Sequence, residues 1–256
     1  MKSFYNKEFY SKEASKYDQE RWISNIGSYT DKTQKDILKS MIPDISGKKV
    51  LEIGAGTGRF SLLLAELGAD VVALDVSQEM LNIINKKAAE RNFSEKINTI
   101  QVDVSTKLPF PDEEFDLCII INVLSHIDKP MHLFEDIYKV MKPGGVFISN
   151  YPNLTSLYFL YGLMVNLKGQ SLRENVFTKW YSLCEINKVH KNKFSMHVIK
   201  GQVHLPVNSN NKILTTLIKK VDRFFRESFL RYFAPIIFVK SIKNNRGDRG
   251  GPQGKS

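Results

Sequence analysis

Five short strand-like segments alternate with amphipathic helical segments between residues 50 and 149. They are four to six residues long, the length expected of strands buried in a parallel sheet. The segments are 50–53, 70–74, 97–102, 117–121 and 146–149. Apolar residues at helical spacing separate them, for example over 130–141. This alternation predicts an α/β fold, a parallel sheet with helices on both faces.

The pattern divides the chain into four parts. Residues 1–45 are predicted to be an N-terminal helical cap, which includes a helix over 31–41, and residues 46–150 form the core. Residues 151–245 are predicted to add a substrate-side insertion and complete the sheet, and residues 246–256 to be a disordered, glycine-rich tail. In the third part we expect a helix over 179–186, strands over 194–199 and 236–242, and a basic amphipathic helix over 212–233.

A glycine-rich turn follows the first strand. Gly54, Gly56 and Gly58 occupy every second position, and the acidic Glu52 stands on the strand before them. Glycine lets a backbone approach a nucleotide closely because it has no Cβ atom. The G-x-G-x-G spacing differs from the G-x-G-x-x-G of dinucleotide folds and from the P-loop, and no lysine follows to bind phosphates.

Acidic residues stand at the ends of the next two strands. Asp75 follows Gly56 by 19 positions, where a carboxylate can accept hydrogen bonds from both ribose hydroxyls of an adenosine. The alternative is that Asp75 caps the next helix, although Ser77 is available for that role. Asp103 ends the third strand, and its alternative is a carboxylate that only stabilises its own turn.

Several motifs together resemble the class I S-adenosylmethionine-dependent methyltransferases, in particular the small-molecule subgroup that includes the quinone-biosynthesis methyltransferases. Residues 52–58, Glu-Ile-Gly-Ala-Gly-Thr-Gly, resemble the family's first motif. Residues 14–18, 108–116 and 142–145 resemble its A-x-x-Y-D, L-P-F-x-D-x-x-F-D and K-P-G-G segments. The resemblance implies a Rossmann-like, seven-stranded, mostly parallel sheet with a reversed last strand. It also implies S-adenosylmethionine as cofactor and S-adenosylhomocysteine as product.

The resemblance assigns cofactor-binding positions to this chain. Asp103 is expected to bind the adenine amino group, with the Val104 backbone beside it, and Asn122 to contact the amino-acid end. Tyr17 either reaches the cofactor or, with its aromatic neighbours, only fastens the N-terminus to the domain. The complete expected set is Tyr17, Glu52, Gly54, Ala55, Gly56, Gly58, Asp75, Val76, Met80, Asp103, Val104 and Asn122.

His126 is the candidate catalytic residue. It follows the fourth strand, at the carboxyl edge where open α/β sheets bind ligands. A histidine beside a methyl donor can take the proton of an acceptor hydroxyl; the alternative is that it only lines the pocket.

The sulfonium already activates the methyl group, so in-line alignment and exclusion of water are the protein's main tasks. We expect a small or amphipathic acceptor, with oxygen as the methylated atom and no metal.

The net charge of +10 permits other partners. An RNA methyltransferase would explain it, but neither an RNA-binding module nor the Asn/Asp-Pro-Pro-aromatic motif is found, so no nucleic-acid partner is expected. A non-catalytic scaffold of the same fold is the other alternative.

The basic helix over 212–233 either contacts an anionic membrane or caps the sheet. With two cysteines in no metal spacing and no apolar leader after Met1, the expected location is the cytoplasm. It would be membrane-peripheral only under the first of the two alternatives for the basic helix.

Overall fold

The structure, a computed structural model, describes residues 2–127, 129–156, 179–191, 193–203 and 210–244. Seven strands form one sheet: β1 (Lys49–Ile53), β2 (Asp70–Asp75), β3 (Ile97–Gln101), β4 (Phe115–Ile120), β5 (Met141–Pro152), β6 (Phe194–Gln202) and β7 (Ile236–Lys243). The helices are α1 (Lys2–Glu13), α2 (Tyr17–Trp22), α3 (Asn25–Met41), α4 (Arg59–Glu66), α5 (Gln78–Glu90), α6 (Met131–Val140), α7 (Leu183–Lys191) and α8 (Lys212–Glu227). Two 3₁₀-helices span Leu124–His126 and Phe229–Phe233.

The sheet has the order β3-β2-β1-β4-β5-β7-β6. Strands β1 to β5 pair in parallel, whereas β7 lies between β5 and β6 and runs antiparallel to both. The predicted Rossmann-like sheet, mostly parallel and with a reversed last strand, is therefore confirmed. Two apolar clusters cover its faces: one packs under α3, α4 and α5, and the other under α6 and α7.

Three predicted helices have different bounds in the structure. The helix expected over 31–41 begins already at Asn25, where the Ser24 hydroxyl caps it by accepting a hydrogen bond from the N–H of Gly27. The helix expected over 179–186 begins only at Leu183, because Ser182 and Glu185 form a reciprocal capping box. The helix expected over 212–233 ends at Glu227. Ser228 is extended there, and its hydroxyl accepts a hydrogen bond from the backbone N–H of Leu230 in a separate 3₁₀-helix.

The predicted turn over 142–145 lies inside β5, as an irregularity in its pairing with β4. Gly144 has a φ of 74°, which glycine adopts without strain. The described residues leave out most of 151–167, the uncharged start of the predicted insertion, and the whole predicted tail 246–256. In the described part of the chain, no helix is both long and apolar enough to cross a membrane.

Candidate active site

A cavity of about 610 Å³ opens at the carboxyl edge of the sheet. A volume of this size suits a small-molecule ligand. The cavity is bounded by the glycine turn after β1, by the ends of β2, β3 and β4, and by α1 and α2. Eleven of the thirteen predicted site residues line it: Tyr17, Gly54, Ala55, Gly56, Asp75, Val76, Met80, Asp103, Val104, Asn122 and His126.

The three glycines of the turn have different structural roles. All have positive φ angles, between 55° and 82°. A Cβ atom on Gly54 would lie 2.2 Å from a methyl of Val123, and one on Gly58 would lie 2.9 Å from Ile84. A Cβ atom on Gly56 would meet nothing within 4 Å, although Gly56 lines the cavity. Two glycines are thus needed for packing, whereas Gly56 leaves space open for a ligand.

Asp75 is held rigidly at the end of β2. One carboxylate oxygen accepts a hydrogen bond from the N–H of Gly56 at 2.8 Å, and the other accepts one from the N–H of Ser77 at 3.0 Å. Burial raises the pKa of Asp75, while these backbone N–H groups oppose the rise. Ser77, and not Asp75, caps α5 through the N–H of Met80. The carboxylate therefore keeps lone pairs for further donors on the cavity side.

Two predicted residues do not line the cavity. Gly58 packs on α5, and Glu52 is buried below the turn, where a carboxyl oxygen accepts a hydrogen bond from the Ser61 hydroxyl. Burial raises the pKa of Glu52 to about 8, so it is mostly protonated at neutral pH. The assignment of Glu52 to the cofactor-binding residues stays a prediction.

The residues after β3 and β4 line the opposite wall. Asp103 accepts a hydrogen bond from the N–H of Ser105 at 2.9 Å, so it stabilises its own turn and also lines the cavity. Asn122 has a φ of 62°, a strained angle for a residue other than glycine. Its N–H donates to the side chain of Asn150, and its own side chain donates to Gln34. Its partners Gln34 and Asn150 are buried, and this carboxamide network holds the strained backbone of Asn122 in place.

Arg59 is a cavity residue that sequence reasoning missed. Its guanidinium lies 3.5 Å from the Trp22 ring centre and donates a 2.6 Å hydrogen bond to Asp31. It also donates to Gln34, which links it to the carboxamide network. Its position directly after Gly58 was visible in the sequence, but its partners on α2 and α3 were not.

The helix α2 is fastened to the glycine turn by Asp18. One of its carboxylate oxygens accepts from the hydroxyl of Thr57 at 2.6 Å, and the other accepts from Lys87 at 2.6 Å. Lys87 also donates to the carbonyl of Thr57. These contacts place Tyr17 on the cavity wall, so α2 both anchors the N-terminal cap and helps to enclose the site.

His126 meets an unexpected partner at the cavity. The hydroxyl of Tyr10, on α1, lies 3.0 Å from its Nε2, and both residues line the cavity. The two positions are 116 residues apart in sequence, so spacing gave no sign of the pair. Among the described residues, no group of three His, Cys, Asp or Glu side chains is placed to hold a metal ion.

Comparison with known proteins agrees with this geometry. Residues 51–149 match the family model described as a methyltransferase domain. Residues 51–149 therefore form a methyltransferase domain, which agrees with the resemblance to the class I S-adenosylmethionine-dependent methyltransferases. The open space at Gly56 and the acidic groups at two strand ends fit the nucleoside cofactor of that class.

Several curated relatives that match this domain are named as methyltransferases of quinones or of quinone biosynthesis. The demethylmenaquinone methyltransferase of Clavibacter sepedonicus is 30% identical over 132 residues, which are 52% of this chain and 51% of that protein. A ubiquinone biosynthesis O-methyltransferase of Psychrobacter cryohalolentis is 26% identical over 129 residues, half of each chain. The chain thus spans about half the length of these curated relatives.

Solved structures share the fold over most of the chain. A methyltransferase of Thermotoga maritima superimposes with a TM-score of 0.65 at 15% identity, covering 94% of this chain and 99% of that one. Magnesium protoporphyrin IX methyltransferase of Synechocystis, with bound S-adenosylhomocysteine, gives 0.61 at 16% identity, covering 86% of both chains. At these identities the likeness concerns the fold.

Proposed function

We propose that the protein transfers the methyl group of S-adenosylmethionine to an oxygen atom of a small or lipid-like acceptor. The observation that carries this proposal is that one cavity contains both the acidic and glycine-rich strand ends and the Tyr10–His126 pair. The first set suits the cofactor, and the second supplies a group that can accept a proton. The names of the quinone-biosynthesis relatives support an acceptor of lipid-like character.

Each end of the cofactor has residues suited to it. We assign the ribose hydroxyls to the Asp75 carboxylate, because it is already oriented by two backbone N–H groups. Asp103, Val104 and Met80 would surround the adenine, and Asn122 and the glycine turn would hold the amino-acid end. Tyr17 would close the site from α2.

The bound cofactor would supply a methyl group made electrophilic by the adjacent sulfonium. The chain's own contribution is to align the acceptor, exclude water and remove a proton. His126 would accept the proton of the acceptor hydroxyl. The Tyr10 hydroxyl would either orient the imidazole or take up the acceptor's proton while it gives its own proton to the imidazole. Because a thiol or an acidic carbon needs such a base far less, this pair favours oxygen as the methylated atom.

The proposed location is the cytoplasm. Cys118 is buried, Cys184 is exposed and both are free, as is usual in a reducing compartment.

The test measures transfer of a labelled methyl group from S-adenosylmethionine to hydroquinones and catechols with and without an isoprenoid tail, to a thiol, and to transfer RNA. We expect transfer to a hydroxyl compound, and a fall in kcat of about a hundredfold for His126→Asn. His132→Asn is the matched control, because His132 is exposed on α6, and it should retain activity. Methylation of RNA or of the thiol alone, or an unchanged kcat for His126→Asn, would contradict the proposal.

A further inference from the structure

Apolar side chains are exposed along α8 and the 3₁₀-helix after it. Six of the nine large apolar residues that are exposed in the described part of the chain lie within residues 213–233. We call these six the apolar ridge: Ile213, Leu217, Val221, Phe224, Phe229 and Phe233, with exposed fractions of 83%, 57%, 37%, 61%, 73% and 48%. Such a concentration marks an interaction surface.

The opposite side of α8 fixes the direction of the ridge. Ile218 is 5% exposed and Asp222 is fully buried against the domain. Asp222 accepts hydrogen bonds from the Tyr29 hydroxyl at 2.6 Å and from the N–H of Val203 at 2.8 Å. The ridge residues of α8 recur at intervals of three or four, on the side away from these contacts. One side of α8 therefore packs on the domain, and the other side, which carries the ridge, is exposed.

Basic side chains border the ridge. Lys212, Lys219, Lys220 and Arg223 are exposed on α8. Residues 210–233 contain six basic and two acidic residues, and one of the acidic residues, Asp222, is buried in a pair with Arg226. An exposed apolar stripe with a cationic border is the pattern of a helix that lies in a membrane interface.

The ridge lies at the same edge of the sheet as the cavity. Ile236 at the start of β7 pairs with Pro152 and Gln202, the last residues of β5 and β6. The connection from β6 to β7, which contains α8, therefore leaves and re-enters the sheet at its carboxyl edge. The Gln202 side chain also accepts a hydrogen bond from Gln34, a member of the network behind the cavity.

We propose that residues 212–233 dock the protein on a bilayer that contains anionic lipid. The apolar ridge would enter the acyl-chain boundary, and the basic residues would lie at the lipid phosphates. A second copy of the chain fits less well, because a two-fold contact would bring equal basic borders together. The chain's own segment 157–178 is not a better occupant of the ridge. It has two basic residues and one acidic residue, so it offers no negative charge to the basic border. The proposal does not depend on methyl transfer.

The test is co-sedimentation of the full chain with vesicles of phosphatidylcholine alone or of equal parts phosphatidylcholine and phosphatidylglycerol. We expect binding to the anionic vesicles that weakens with salt. Leu217→Glu/Phe224→Glu and, separately, Lys220→Glu/Arg223→Glu should each lower binding at least about tenfold. The matched controls lie at the other edge of the sheet: Leu67→Glu, and Lys39→Glu/Lys48→Glu with the same change of charge.

Thermal unfolding checks that each variant is folded, and sedimentation velocity without lipid measures the oligomeric state. Equal binding to neutral and anionic vesicles would overturn the proposal, as would wild-type binding by a folded ridge variant. A dimer without lipid that Leu217→Glu/Phe224→Glu dissociates would assign the ridge to a second copy and overturn it as well.

Discussion

A carboxylate oxygen of Asp75 accepts a hydrogen bond from the N–H of Gly56 at 2.8 Å. This contact joins the end of β2 to the glycine turn after β1. It means that the acidic group and the open face of the turn are positioned together, before any ligand binds. A site preorganised in this way loses little conformational entropy on binding.

Gly56 and Gly144 allow steric and conformational effects to be separated. Both have positive φ angles, and a Cβ atom on either would meet nothing within 4 Å, but only Gly56 lines the cavity. Gly56→Ala and Gly144→Ala should each lower the free energy of unfolding by about 1 kcal/mol. Only Gly56→Ala should also weaken S-adenosylmethionine binding, by about tenfold. Calorimetry and urea unfolding of both variants measure this, and equal affinities would contradict it.

Asp18 is expected to hold the N-terminal cap on the site. Asp18→Ala removes its contacts with Thr57 and Lys87, so α1 and α2 should detach more often. Limited trypsin digestion should then cleave faster at Lys12 and Lys16, and cofactor affinity should fall about fivefold. Glu8→Ala, on the exposed side of α1, is the control. A digestion rate equal to that of the wild type would refute this role.

Glu52 should make the protein less stable as pH rises. Burial raises its folded pKa from 4.5 to about 8, so between these values the folded state holds a proton that the unfolded state releases. The free energy of unfolding should therefore fall by up to about 1.4 kcal/mol per pH unit from this group. Glu52→Gln should remove that fall. Urea unfolding of both proteins between pH 5 and 8 tests this. If the free energy of unfolding depends on pH in the same way in Glu52→Gln and in the wild type, the carboxyl group is charged in the folded state.

His190 should act in the opposite direction. Its ring is buried between the hydroxyls of Tyr151 and Ser241, each 2.7 Å from a ring nitrogen, and burial lowers its pKa from 6.5 to about 4. The unfolded state thus binds the extra proton between these values, and stability should decrease as pH falls through them. His190→Gln should abolish this part of the slope in a urea-unfolding series that extends down to about pH 4. A steep slope that persists in the variant would assign it to another group.

The parts of the fold set by local sequence were predictable. Buried apolar runs and the glycine turn gave β1 to β5, and Asp75 and Asp103 follow from their places at strand ends. The missed features depend on contacts between distant residues. Tyr10 meets His126, and Arg59 meets Asp31 and Trp22, only after α1 to α3 pack on the sheet. The same packing separates the two sides of α8, which a helical pattern alone cannot assign to core or solvent.

The most direct test of the cofactor site is calorimetric titration with S-adenosylmethionine and, separately, S-adenosylhomocysteine. Asp75→Ala is compared with Asp70→Ala, which removes an exposed carboxylate from the other end of the same strand. We expect binding of both ligands, a loss of affinity of at least about tenfold in Asp75→Ala and little change in Asp70→Ala. Folded wild-type protein that binds neither ligand, or full affinity in Asp75→Ala, would contradict this expectation.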